Sequence, residues 1–477
     1  MLFTEPTFLF AFLPVLVALY FLPWPRSRNL LLLAFSIAFY ASGGGAFTWL
    51  ILGSIAVNYA AARAIDAARG TALARRLLAL AVGLNLLVLI AFKYAGFVVE
   101  NLNLALRPFG AVVPVPEVVL PIGISFFTFH AISYVVDVYR RDAVAQKRPV
   151  EAALYLLFFP QLIAGPIVRY RDIAAQLAAR AVSRDDLAIG IRRFVIGLGK
   201  KMLIANIVAG PADRLFALPA GELTAASAWL AIVCYTLQIY FDFSGYSDMA
   251  IGLARIFGFH FKENFAHPYA ARSVQDFWRR WHISLSAWFR DYLYLPLGGS
   301  RVRPRRVYLN LITVFFLCGL WHGASWTFVV WGLFHGAFLV LERAGLGARL
   351  ERAPWALRHL YTLAVVMVAW VFFRASSLPE AIGVLRALAG ASPALPTPYA
   401  LSWYLTPEVI VAIAAGAVGA FPVWPAVAAR LARPSPDGPM LGPLPSAVSI
   451  AALAAIFGGC LMLIAAHTYN PFIYFRF

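Results

Sequence analysis

What most restricts this chain is a succession of apolar blocks, near residues 6–23, 29–42, 46–62, 77–99, 118–139, 150–168, 194–212, 226–254, 307–321, 326–342, 357–373, 406–428 and 446–466. A helix of ~20 apolar residues crosses the ~30 Å hydrocarbon core of a bilayer. Backbone polar groups in lipid find no water and must pair within their own segment, so such blocks are helices and no sheet edge faces lipid. With 62% hydrophobic and 13% charged residues over 477 positions, the chain lacks the polar surface that a soluble globule of this length needs. The sequence therefore predicts an all-α, polytopic membrane protein. It should have about 11–12 transmembrane helices, with further re-entrant and interfacial helices, in a single membrane domain over residues 1–477.

A net charge of +18 would suggest a nucleic-acid partner in a soluble chain. Here Lys and Arg gather in connectors at 24–28, 63–76, 140–148, 169–201, 301–306, 343–358 and 430–433, which the positive-inside rule places in the cytoplasm. The expected partner is the lipid bilayer, not nucleic acid. Connectors 100–117, 213–225 and 376–405 are poor in Lys and Arg and belong outside. The N-terminal run to Leu22 lacks a basic leader and a small-residue cleavage site, so it reads as a retained first span. Arg26 and Arg28 follow it and favour an outward N-terminus. The block Leu154–Val168 lies between two cytoplasmic connectors and must return to its own side; the stretch from Gln161 to Gly165-Pro166 supplies breaking residues for a re-entrant turn. Cys234, Cys318 and Cys460 are scattered without CxxC spacing, so neither a disulfide framework nor a metal site is expected. No internal repeat is evident, which argues against an inverted-repeat transporter.

Phosphate-loop, zinc-protease and serine-elbow patterns are absent. What remains is histidine in apolar or aromatic surroundings. His322, in Trp321-His322-Gly323-Ala324-Ser325-Trp326, lies between two apolar arms whose outer ends reach Arg-rich connectors. The arms predict a hairpin that carries His322 deep into the membrane or towards its far face. An ionisable residue there either serves chemistry or hydrogen-bonds a neighbouring helix. A neutral imidazole suits general-base work, because its ordinary pKa is near working pH. Cys318 and Ser325, at i−4 and i+3, fall on or near the same helical face as conceivable nucleophiles, although packing explains them more simply.

His282 is the second candidate. It belongs to an aromatic and basic stretch, 272–296, suited to a helix at headgroup level or entering a cavity, with Asp276 and Arg280 spaced i,i+4. The plain alternative is an interfacial histidine that is merely tolerated. His335 and His130 are weaker candidates, His359 reads as solvated, and His260, His267 and His467 near connectors carry little information. Asp242 and Asp248, six residues apart, point in different directions on a helix, so each calls for its own buried partner, such as an Arg or a backbone amide.

At these residues the chain resembles the membrane-bound O-acyltransferase (MBOAT) superfamily, and within it the branch of bacterial alginate O-acetyltransferase membrane subunits. The matching stretches are Pro121–Phe129, Phe159–Tyr170, Gln238–Ile251, Phe277–Gly299, Trp321–Trp326 and the C-terminal Tyr469–Phe477. The likeness covers almost the whole chain, with the family core at roughly 118–375, and block 277–299 is highly specific. His130 stands where Gln is usual, and His267 precedes a Pro-Tyr pair where a non-titrating residue is more common. The resemblance implies helices around a central tunnel, with His322 as the general base that deprotonates an acceptor hydroxyl. It implies that His282 orients or polarises the thioester of an acyl-CoA donor, here acetyl-CoA, and that no metal takes part. The basic connectors would favour approach of the anionic CoA. It further implies a bacterial inner-membrane location. There, periplasmic or membrane-anchored acetyltransferase or acetyl-carrier proteins of an exopolysaccharide machinery finish the transfer onto a polymer such as alginate. Two alternatives stay open: D-alanyl or other acyl transfer to a cell-envelope polymer, and a transporter or flippase without chemistry of its own.

Overall fold

A computed structural model describes residues 1–22, 24, 27–392, 399–433, 440–441, 443–466 and 470–471. Arg26, His467, Tyr469 and residues 472–477 of the C-terminal motif lie outside the described residues. Among the described residues, seven helices are long and apolar enough to cross a membrane: Phe47–Ala67, Ala72–Lys93, Arg184–Phe216, Ala225–Ile256, Trp326–Arg352, Trp355–Arg374 and Ser446–Ala465. An eighth arises if Pro407–Gly419 and Val423–Leu431, bent by 63°, count as one span. Further apolar blocks form shorter or more polar helices, such as Phe8–Tyr20, Ile124–Arg140 and Pro304–His322. Apart from a two-residue antiparallel pairing of Ala432–Arg433 with Met440–Leu441, the regular structure of the described residues is helical, and the protein is a polytopic, α-helical membrane protein. Its chain divides into two compact units, one of Met1–Arg193 with Met249–Lys262, the other of Phe194–Asp248 with Glu263–Phe477.

In the first unit, close backbone approach sets the fold. Helix Ile124–Arg140 starts at Gly123, whose φ of 73° favours glycine, and a Cβ there would lie 2.7 Å from the Leu162 carbonyl oxygen. The block expected to turn back on itself is indeed broken. Helix Pro149–Leu157 stops at Phe158, a short turn Phe159–Leu162 follows, and a Cβ at Gly165 would lie 2.3 Å from the Pro160 carbonyl oxygen. Residues 154–170 are all buried, as non-helical backbone in a membrane protein must be. Asn58 and Asn85, on neighbouring apolar helices, exchange amide hydrogen bonds of 3.1 and 2.7 Å, so neither polar head is left to lipid.

The second unit holds the predicted hairpin. Its arms are Pro304–His322 and Trp326–Leu341, joined by Gly323, Ala324 and Ser325. Small residues let the arms touch through their backbones: a Cβ at Gly332 would lie 2.2 Å from the Phe315 carbonyl oxygen, and one at Gly319 would lie 2.3 Å from that of Phe328. One helix at 272–296 is not found. The stretch runs as Val274–Arg280 and Ile283–Phe289, broken at Trp281-His282 and followed by a π-turn, Arg290–Tyr294. The predicted Asp276–Arg280 pair is present at 2.8 Å in the first piece. Phe277, Trp281, His282 and Leu285 are each at most 3% exposed, so the stretch enters the protein rather than lying on it.

Replacing Gly332→Ala forces a methyl group onto Phe315 backbone that cannot swing away. The variant is expected to lose about 1–3 kcal/mol of stability. Thermal unfolding in detergent tests this; an unchanged melting temperature would show that the arms are not held at the distance described.

Candidate active site

The second unit gathers His282, His322 and His335 into one aromatic cluster. His322 ends helix Pro304–His322, and its ring packs edge-on against Trp321, Trp331 and Phe373 at centroid distances of 4.9, 5.0 and 5.2 Å. Trp331 also contacts His335 at 5.1 Å, and His335 accepts a 3.3 Å hydrogen bond at Nδ1 from Trp278 Nε1. His282 sits edge-on to Phe243 at 4.6 Å and to Trp321 at 6.2 Å, so Trp321 touches both candidate histidines. A small cavity, about 10 Å³, opens beside His322 between Ile239, Phe243, Trp281, Trp331, Trp370 and Phe373. That is room for about one water molecule, in a wall that is otherwise apolar or aromatic.

The chain's local chemistry explains how His282 reaches this place. Ser273 caps helix Val274–Arg280 by accepting from the Asp276 N–H, while the carboxylate of Glu342 accepts from the backbone N–H groups of Val274 and Gln275 at 2.7 and 2.9 Å. The helix ends four residues on from Asp276, and His282 then adopts a left-handed backbone, φ 43°. Asn264 closes the break from the other side, accepting from the Ser284 N–H and hydroxyl. His282 is fully enclosed, and burial pushes its pKa down to about 3, so the imidazole is neutral at working pH. Such a ring has one nitrogen able to accept a proton.

Ser325 does not share a helical face with His322. The helix stops at His322, and Ser325 is extended, with its hydroxyl 2.8 Å from that of Thr327. Cys318 is buried in the hairpin, one turn below His322. His359 is half-buried rather than solvated, stacked on Trp355 with Nδ1 3.3 Å from the Ala271 carbonyl oxygen. His130, in the first unit, lies wholly buried against Tyr155.

The two aspartates do take separate partners, and both are lysines. Asp242 pairs with Lys201 at 2.6 Å, each 2% exposed, and Asp248 pairs with Lys200 at 2.6 Å. The sequence places both lysines at the end of a basic connector. Instead, helix runs on through them, because residues 184–216 form one helical run with a π-turn at Lys200–Ala205. The π-turn widens the helix by one residue, and both ammonium groups face carboxylates of Ala225–Ile256. Lys201 also donates to the Pro471 carbonyl oxygen, and Asn206 to Asn470 at 3.0 Å. The signal in the sequence is a lysine pair inside an apolar block, 194–212, where the connector 169–201 overlaps it, and a connector explains the pair equally well.

The cluster sets three buried histidines among tryptophan and phenylalanine rings inside a polytopic membrane protein. The chain belongs to the membrane-bound O-acyltransferase family, whose model matches residues 112–378. It is 42% identical to the probable alginate O-acetylase AlgI of Azotobacter vinelandii, over all of both chains. A namesake from Pseudomonas aeruginosa is 46% identical over 81% of this chain and 75% of its own. The peptidoglycan O-acetyltransferase of Helicobacter pylori is 39% identical over 82% of this chain and 80% of its own. The protein is accordingly a membrane O-acyltransferase, crossing the bacterial inner membrane several times.

Replacing Lys201→Met leaves Asp242 buried without its ion-pair partner, which is expected to cost about 3–5 kcal/mol. The double variant Lys201→Met, Asp242→Asn should recover most of that loss. Detergent-solubilised thermal unfolding of the three proteins checks this, and equal melting temperatures for wild type and Lys201→Met would refute it.

Proposed function

We propose that this protein moves an acetyl group from cytoplasmic acetyl-CoA towards the periplasm for O-acetylation of an exported polysaccharide of the alginate type. The carrying observation is the cavity beside His322, which offers one imidazole edge in surroundings of tryptophan and phenylalanine. In this reading His322 takes the proton of the acceptor hydroxyl as its oxygen attacks the thioester carbonyl carbon. The C–S bond breaks, the acetyl ester forms, and the departing CoA thiolate recovers the proton from the imidazolium. His282 orients the reactants beside it. Apolar walls exclude water, which protects the thioester from hydrolysis. The Lys and Arg of the connectors draw in the anionic CoA. Partner acetyltransferase or acetyl-carrier proteins on the periplasmic side complete the transfer. The names of the full-length and near-full-length relatives support acetyl as the group and an envelope polymer as the destination.

His322→Ala is expected to leave an inserted, folded protein whose acetyl transfer falls by at least about 100-fold, in line with the loss of a general base. The measurement is transfer from labelled acetyl-CoA by purified protein, with polymer acetylation in cells alongside it. Unchanged acetylation would remove His322 from the mechanism. Transfer from a D-alanyl donor but not from acetyl-CoA would overturn the acetyl assignment.

A further inference from the structure

The side chain of Asn264 is heavily used beside the cluster, and nothing about its place in the sequence announces it. It is 1% exposed. Its Oδ1 accepts from the Ser284 backbone N–H at 3.2 Å and from the Ser284 hydroxyl at 2.8 Å, and lies 3.2 Å from His282 Nδ1. Its Nδ2 donates to the Ser247 hydroxyl at 2.9 Å. Its own carbonyl oxygen accepts from the Ile283 N–H at 2.9 Å.

These contacts decide a question that heavy-atom positions alone leave open. An asparagine head can be turned over, exchanging oxygen for nitrogen. A backbone N–H can only donate, so the atom facing Ser284 must be the amide oxygen. That oxygen can only accept, so the nearby Nδ1 of His282 must carry its hydrogen. In a neutral imidazole the lone pair then sits on Nε2. Among the described residues, this buried Nε2 has no hydrogen-bond partner. The Ser284 hydroxyl also lies 3.5 Å from Nδ1, but its hydrogen is directed to Asn264 Oδ1 at 2.8 Å, so towards Nδ1 it too can only accept. The rest of the ring is flanked by Phe243, Phe265 and Trp321, which carry no charge.

We propose that Asn264 is a positioning residue that fixes His282 as the Nδ1–H tautomer and presents its Nε2 lone pair to the reactants. The proposal rests on the reading of His282 as a site residue, and it sharpens the role of that histidine. An Nε2 that accepts cannot donate to the thioester carbonyl oxygen. His282 therefore holds an O–H or N–H of the reactants, such as the acceptor hydroxyl or an amide of the CoA arm, and does not polarise the carbonyl. Asn264 also carries the break that brings His282 inward, because it bonds to Ile283 and Ser284 just beyond the left-handed residue.

Three full-length variants in lipid nanodiscs, assayed for transfer from labelled acetyl-CoA, test this. Asn264→Ala removes the acceptor and is expected to lower kcat by about 10–100-fold with KM little changed, the usual effect of losing such a supporting contact. Asn264→Asp keeps an acceptor at Nδ1 but adds a negative charge, which favours the imidazolium. It should recover part of kcat at alkaline pH and move the acidic limb of the pH–rate profile to higher pH. A merely structural role would leave that limb where it is. Wild-type kcat in Asn264→Ala, or an unmoved limb in Asn264→Asp, would overturn the proposal. His282→Gln separates it from the reading beneath: if this variant keeps wild-type transfer, His282 is not a site residue and that reading fails first. Should the Asn264 variants fail to insert, the ¹⁵N-histidine spectrum of the wild-type protein decides, by difference from His282→Gln. A protonated Nδ1 with a bare Nε2 supports the proposal, and the reverse overturns it.

Discussion

A helix end buried in an apolar surrounding must find partners for its open N–H and C=O groups, and the cluster around His282 depends on how that is done. Stopping a helix inside a membrane protein is costly unless other chain segments supply the missing bonds. At Val274 and Gln275 the carboxylate of Glu342 supplies them, reaching across from the end of the hairpin's second arm. At Ser284 the head of Asn264 does so, and the main chain of Asn264 takes the Ile283 N–H. With both ends satisfied, two short helices can stand where one continuous helix would have carried His282 past the cluster.

The hairpin meets the same constraint by different means. Its glycines remove side chains where the two arms meet, so that Gly319 and Gly332 bring backbone against backbone. This close contact fixes the height of His322 relative to Trp331 and His335 on the opposite arm. Rigid aromatic neighbours then hold the imidazole by shape.

Much of this was legible in the sequence because hydropathy and glycine spacing act over short range. The membrane class, the hairpin with His322 at its turn, the broken block before Gly165-Pro166 and the separate partners of Asp242 and Asp248 all follow from such local signals. The failures share a cause as well. Asn264 looks like any polar residue of a connector, since its value comes from Ser247 and Ser284, which are distant in the chain or follow a break. Lys200 and Lys201 read as connector charges until a π-turn sets them against two aspartates. Spacing sets Ser325 on the face of a helix that in fact ends at His322. Contacts across long separations and the exact points of helix termination are properties of the packed chain, and residue spacing does not encode them.

The left-handed backbone at His282 has an evolutionary side. Side chains with a branched or bulky β-carbon pay heavily at φ near 43°, whereas histidine, asparagine and aspartate tolerate it comparatively well and glycine tolerates it best. Glycine brings no chemistry. The backbone thus restricts this position to a very short alphabet of polar side chains. A substitution here is filtered by the backbone first, before its side chain is asked to do anything.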